Sequence, residues 1–426
     1  MKAGVRFLLA TLSLALVAAC SSDGPGEQDR LGRDGLGNFA AKLESGEPVR
    51  VAYLGGSITE AKGWRSYTTA ALKALSRGGI EEINAGLGGT GSLMGVYRLE
   101  RDVVTRSPDL VFVEFSVNDQ QASPRLVKSA FEGIVRKLWR KDARTDVVFV
   151  HAYAREFARS LKAGQEPPTI EAAEAVAERY GIPSIRIDRE VQQRLDDGRA
   201  TLIRPWGGRA APSQDRPALT LDGIHPTARG HRVYADIVAA SLERFLRHPP
   251  VDHAAKLAGA RASDGDLERA TWVPLDRVTR VGPWRRLAME GKSGPIWEGS
   301  EPGSALEIRF HGASAELLAV FDSSEGGAIA VDVDGQQILK WAGQRGAQPH
   351  ALRAYPKAVH LVHGLDPAAL HRLRVSLVSP ADVASALPRL RAAALLIEGE
   401  AVTENPGDAV PVAPSAARGG SSSTRS

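Results

Sequence analysis

This sequence predicts an α/β domain, with a parallel sheet between helical layers, followed by a separate all-β domain of the sandwich or jelly-roll kind. Three observations carry that prediction. Over the first part of the chain, short apolar runs ending in glycine or serine alternate with helix-period segments, the pattern of parallel strands covered by helices on both faces. Beyond Gly265 the helical period gives way to short strands, with Asp334-Gly335 between Ile329-Val331-Val333 and Ile338 as a strong hairpin signal. A chain of 426 residues, 43% hydrophobic and 24% charged, is also long enough for two cores.

Lys2 and Arg6 make a basic start, Phe7 to Val17 is an apolar run, and the small residues Ala18 and Ala19 follow. Residues 1–19 therefore read as a secretory signal peptide, too short for a comfortable membrane span. Cys20, the single cysteine of the chain, comes next. Val17-Ala18-Ala19-Cys20 resembles the bacterial lipobox, which implies cleavage before Cys20, acylation of that residue, and attachment to a membrane through it. Ser21 after the cysteine points to the outer membrane if the source is Gram-negative. The alternative is an ordinary secreted protein with an incidental cysteine. One cysteine leaves no internal disulfide. Residues 20–38, rich in Gly, Asp and Ser, read as a flexible tether. The net charge of +4 is mild and the arginines are interspersed with acids, so no nucleic-acid surface is read.

Residues 39–250 form the α/β domain. Val49 to Leu54 is its first strand, and Trp64, Tyr67, Ala71 and Leu75 share one face of the next helix. Strands at Ile83–Ala85, Leu110–Phe115, Val147–His151 and Ser184–Ile187 alternate with helices near Leu93–Val104, Ser123–Arg140 and Ile170–Tyr180. A last helix follows Pro226, with Val233, Ile237, Leu242 and Phe245 on its apolar face, and Pro249-Pro250 ends it. A polar, alanine-rich linker (251–264) leads to the β domain (265–401), with strands at Leu306–Phe310, Leu317–Phe321, Ile329–Val333 and Leu373–Leu377. The Pro, Ala, Gly and Ser-rich tail, 402–426, reads as disordered.

A serine nucleophile needs a base to take its proton, an acid to hold that base, and donors for the oxyanion. Gly55-Gly56-Ser57 ends the first strand, where an open α/β sheet places its ligands. Asp222-Gly223-Ile224-His225-Pro226 sets an acid and a histidine three residues apart before a helix. At that spacing the carboxylate can reach Nδ1 and leave Nε2 facing a serine. The Gly-x-Ser-x-Gly elbow is missing around Ser57, so the pattern is not that of a standard α/β-hydrolase.

Four blocks in order resemble the SGNH (GDSL-type) hydrolase superfamily, in its Gly-Gly-Ser-Ile-Thr form. They are Gly55-Gly56-Ser57-Ile58-Thr59, Asn84-Ala85-Gly86-Leu87-Gly88-Gly89-Thr90, Ser116-Val117-Asn118-Asp119 and Asp222-Gly223-Ile224-His225-Pro226. Gly56 stands where the family name has Asp, and Ser116 where the family has glycine. The resemblance implies a three-layer, flavodoxin-like domain with Ser57 as nucleophile, His225 as general base and then acid, and Asp222 as the orienting acid. It also implies an oxyanion hole from the Ser57 and Gly89 N–H groups and the Asn118 amide. No cofactor is implied, and no His/Asp/Glu cluster has metal-ligand spacing.

Other residues draw weaker readings. Trp64, Arg98 and Trp206 lie near the blocks and are candidates for an acyl or sugar pocket, although Trp64 also starts an apolar helix face. Asp119 reads as a helix cap, Glu114 as half of a buried ion pair with Arg98 as its candidate partner, and His151 as structural. Trp272, Trp284, Trp297 and Trp341 in the β domain could stack on sugars or pack its core. His360 to Leu365 with His371 to Val375 resembles a strand pair of jelly-roll domains in carbohydrate esterases. The expectation is an exported lipoprotein esterase acting on O-acyl, chiefly acetyl, groups of a polysaccharide. Acyl transfer by the same residues, or glycan binding without turnover, remain the alternatives.

Overall fold

The computed structural model describes residues 31–202, 217–287, 294–320, 328–342, 356–378 and 389–402. Cys20, the signal segment, Trp206 and the tail after Val402 lie outside them. The chain divides into two compact units, one of residues up to 92 with 102–264, the other of 93–101 with 265 onward.

The first unit is built on five parallel strands, β1 (Val49–Gly55), β2 (Ile80–Gly86), β3 (Leu110–Glu114), β4 (Asp146–His151) and β5 (Ser184–Arg186), in the order β2-β1-β3-β4-β5. β1 pairs residue for residue with β2 and, from Val51, with β3. Every residue of β3 and β4 is buried, as expected of strands covered on both faces. The order reverses between β1 and β3, so the crevice beyond their carboxyl ends is the natural ligand site of the sheet.

The helices are α1 (Gly37–Ser45), α2 (Ser57–Glu60), α3 (Trp64–Leu75), α4 (Ser92–Asp102), α5 (Pro124–Lys141), α6 (Ala158–Lys162), α7 (Pro168–Tyr180), α8 (Ile187–Asp196), α9 (Ala228–Phe245) and α10 (Ala254–Leu257). α5 begins where Pro124 takes the first position and Ser123 accepts the Leu126 amide. Trp64 is fully buried. It meets Tyr53 and Phe112 edge-on at 5.6 and 5.9 Å, while those two rings stack at 4.8 Å. It is a core residue and not a pocket wall.

Two stretches read as connectors are packed. Leu36 is fully buried and its amide donates to the Phe245 carbonyl, and Arg33 pairs with Glu174 at 2.8 Å. The folded chain thus begins before residue 39, because one apolar side chain in a glycine-rich stretch is enough to dock it. Near the other end of this unit, Glu132 accepts the Ala262 and Ser263 amides, which fixes the segment before Asp264.

Among the described residues the second unit holds ten strands in one hydrogen-bonded sheet. They are β6 (Ala270–Pro274), β7 (Thr279–Val281), β8 (Trp284–Leu287), β9 (Ile296–Gly299), β10 (Ala305–Val320), β11 (Ala328–Val333), β12 (Gln336–Ala342), β13 (Pro356–Val362), β14 (Leu370–Leu377) and β15 (Leu390–Val402). The two strands expected at Leu306–Phe310 and Leu317–Phe321 are one long β10, which pairs with β14 and β7 along its first half and with β13 along its second. β15 follows it from Arg309 to Ala319, with its register shifting at Gly312. Such a strand carries the sheet around one core, which includes Leu306, Phe310, Leu317, Val331, Leu373 and Leu395. Asp334 and Gly335 both have positive φ (53° and 84°), the backbone of a type I′ hairpin turn. β13 and β14, expected as a pair, each pair with β10 instead.

Three of the four tryptophans here are engaged inside this unit. Arg101 lies 4.2 Å over the Trp272 ring, Trp284 donates to the Val281 carbonyl, and Trp297 donates to Asp276 beneath the Arg280 guanidinium. The Trp341 side chain is outside the description. Tyr97, in the 93–101 segment, is buried and bonded to Ser314. Among the described residues no helix is long and apolar enough to cross a membrane.

Candidate active site

The carboxyl ends of β1, β2 and β3 and the loop before α9 supply the five residues singled out in the sequence. Ser57 is the first residue of the one-turn α2, directly after β1. Its Oγ lies 2.9 Å from His225 Nε2, and His225 Nδ1 lies 2.7 Å from Asp222 Oδ2. The three side chains form one hydrogen-bonded line open to solvent at its His and Asp end, where both are about half exposed (46% and 48%).

The loop that holds the pair explains its spacing. Asp222 Oδ1 accepts the Ile224 and His225 amides at 2.9 and 2.7 Å, folding the backbone back on the carboxylate while Oδ2 takes the ring. Leu221 donates to the His225 carbonyl, and Gly223 donates to the buried Thr220 hydroxyl. Thr227, not Asp222, caps α9, which leaves the carboxylate committed to the histidine. Burial works against its charge, but the bonds from the His225 ring and from the two amides outweigh it and hold its pKa below the ordinary aspartate value.

The glycine-rich loop after β2 is pinned at its first three amides. Gly86 donates to Asn84 Oδ1, Leu87 to the Gly55 carbonyl, and Gly88 to Glu60 Oε2, all near 3 Å. The Thr90 hydroxyl returns to the Leu87 carbonyl. Gly89 has φ +73°, a left-handed conformation that favours glycine, and its N–H has no acceptor among the described residues. Glu60, which escaped the sequence reading, ties this loop to the helical turn that carries Ser57. An acid three residues after the serine was the signal available.

Asn118 sits in the turn after β3, where its amide and that of Asp119 donate to the Phe115 carbonyl. Its carboxamide packs on Gly56, where an added Cβ would lie 2.1 Å from Asn118 Oδ1. The departure from aspartate at Gly56 therefore has a local reason, since the carboxamide takes the space. Ser57, Gly89, Asn118, Asp222 and His225 can together supply a hydroxyl, a base facing it, an acid behind the base, and both main-chain and side-chain donors.

Two buried acids lie behind this surface. Glu114 Oε2 accepts the Thr59 hydroxyl at 2.8 Å, so a hydroxyl stands where an ion pair was expected. Burial, with a smaller contribution from Asp119, pushes its pKa up to about 7 against the Thr59 hydrogen bond. Asp119 Oδ1 accepts the Ser92 amide at 2.9 Å, and burial raises its pKa to about 6. It caps the start of α4, a helix that precedes it in the chain. Arg98 falls in the segment belonging to the second unit. Among the described residues no group of three or more His, Cys, Asp or Glu side chains is placed to hold a metal ion.

Residues 53–233 match the GDSL-like lipase/acylhydrolase family. No curated protein matches the chain. Among solved structures, a two-domain esterase active on acetylated mannans, co-crystallised with mannopentaose, superposes with a TM-score of 0.66 at 20% identity, covering 88% of this chain and 98% of that one. A second structure described as a two-domain esterase active on acetylated mannans gives a TM-score of 0.63 at 19% identity, covering 88% and 99%. At these identities the likeness is one of fold, and it extends over both units. Over residues 53–233 the first unit is similar to GDSL-type ester hydrolases.

Proposed function

We propose that this protein is a serine esterase that removes O-acetyl groups from a polysaccharide by way of an acyl-enzyme on Ser57. The observation that carries this reading is the Ser57–His225–Asp222 hydrogen-bonded line. Ser57 Oγ attacks the ester carbonyl while His225 Nε2 takes its proton, and Asp222 holds the ring and offsets the charge it gains. The oxyanion is held by the Ser57 and Gly89 N–H groups and the Asn118 amide. The carbonyl–oxygen bond to the sugar then breaks, and the sugar oxygen leaves with the proton from His225. Water, deprotonated by the same histidine, attacks the acyl-enzyme and releases acetate.

The choice of an acetylated glycan rests on the family match and on the shared two-domain fold with an esterase active on acetylated mannans. The first test is hydrolysis of nitrophenyl acetate by the purified protein. Ser57→Ala is expected to abolish it, and undiminished turnover in that variant would refute the assignment. Acetate release across a panel of acetylated glycans, mannans included, then identifies the polymer; release from none of them would remove the glycan from the proposal. Acylation of Cys20 places the enzyme outside the cytoplasm on a membrane. Cys20→Ser is expected to move it to the soluble fraction, and unchanged membrane fractionation would count against the anchor.

A further inference from the structure

Ser116 stands where the resemblance leads one to expect glycine, and its side chain is used. Its Oγ lies 2.7 Å from His151 Nδ1, at the end of the neighbouring strand β4. His151 Nε2 lies 2.8 Å from Glu174 Oε1 on α7, and Glu174 Oε2 pairs with Arg33 at 2.8 Å. Arg33 donates in turn to the Ile182 carbonyl and the Ser184 hydroxyl beside β5. Ser116 is 3% exposed and His151 0%, so neither can meet a substrate. Burial opposes the charge on Glu174, but the His151 bond and the charges of His151, Arg33 and Arg186 hold its pKa well below the usual carboxylate range. The imidazole is thus held at both nitrogens, with Nε2 on the Glu174 carboxylate and Nδ1 facing the Ser116 hydroxyl.

We propose that Ser116, His151 and Glu174 form a buried positioning relay for Asn118, tying the turn after β3 to β4 and α7. The inference rests on the esterase reading, in which Asn118 donates to the oxyanion. Ser116 is two residues before Asn118, in a turn whose later residues are held by the Asn118 and Asp119 amides on the Phe115 carbonyl, the Gln120 side chain on the Val117 carbonyl and the Ser92 amide on Asp119 Oδ1. A glycine at 116 would leave the start of that turn without a side-chain anchor. The hydroxyl supplies one, tying the turn's inner side to a ring that is itself clamped by a carboxylate. All the relay's residues act through Asn118, and none touches the reacting atoms.

The test is a double-mutant cycle on nitrophenyl acetate turnover by the full chain, with the wild type, Ser116→Ala, Asn118→Ala and the double variant. Ser116→Ala is expected to lower kcat about tenfold with KM within about twofold, as for a misplaced rather than missing donor. In the Asn118→Ala background the same change should cost nothing further. Ser116→Cys, which keeps a weak donor of similar size, should recover part of the loss. Unchanged kcat in Ser116→Ala, an equal penalty in both backgrounds, or full activity in Asn118→Ala would each overturn the relay. A loss that follows only a lowered thermal midpoint, with kcat per folded molecule intact, would do the same. An inactive wild type would instead refute the esterase reading.

Discussion

Gly56→Ala isolates one contact in the site. The glycine has φ −86° and ψ −152°, a conformation that alanine adopts, so backbone strain does not enter. The only consequence is steric. A Cβ would lie 2.9 Å from Asn118 Cγ and 2.1 Å from its Oδ1, the latter closer by about 1 Å than heavy atoms tolerate. Asn118 can answer by rotating, because the clash falls at the far end of a side chain that is only half buried. The fold should therefore lose little, with a thermal midpoint close to the wild type. Turnover should lose much. A carboxamide rotated out of place forfeits one oxyanion donor, about 3 kcal/mol or roughly 100-fold in kcat on nitrophenyl acetate. KM should stay near its starting value, and Gly56→Ala in an Asn118→Ala background should be silent. A kcat within about threefold of wild type would refute the argument. So would a large fall in midpoint with unchanged kcat, because it would make Gly56 a packing residue and nothing more.

Two further predictions follow. Glu60→Ala should free the Gly88 amide and loosen the loop that presents Gly89, lowering kcat about tenfold, while Glu60→Gln, which keeps an acceptor, should recover most of it; equal losses in both variants would tie the effect to charge instead. Glu114 binds its proton more tightly in the folded protein, with a pKa of about 7 against 4.5 for the free group. Its contribution is thus fully present below pH 4.5 and lost as pH rises through 7, a change of about 3 kcal/mol. Thermal midpoints of the wild type should fall from pH 5 to pH 8, and Glu114→Gln should flatten the fall. Parallel curves would show that the carboxyl does not set this slope.

The first unit was legible because its chemistry is local to strand ends. Each block is a few residues following an apolar run, and the sheet order brings those ends together without further instruction. Long-range partners were not legible. His151 read as a structural histidine, and no spacing ties it to Ser116 or Glu174, which reach it from the end of β3 and from α7. Asp119 read as a cap, but the helix it caps comes before it in the chain. In the β unit, Leu306–Phe310 and Leu317–Phe321 looked like two strands because the residues between them, from His311 to Glu316, break the apolar alternation. Only the pairing with β15 shows that the strand continues through them.

The assignment of residues 93–101 to the second unit bears on how the polypeptide is made. This helix leaves the ribosome soon after the loop at Gly89, yet the strand bearing Ser314, which bonds its Tyr97, is synthesised some two hundred residues later, and β15 later still. Until then the apolar face of this helix, Met94, Val96, Tyr97 and Leu99, lacks the rest of the unit it belongs to, a state that invites chaperone capture. Truncation after Asp264 would make that state permanent. The first unit is continuous in space but not in the chain, and the two units are expected to mature together.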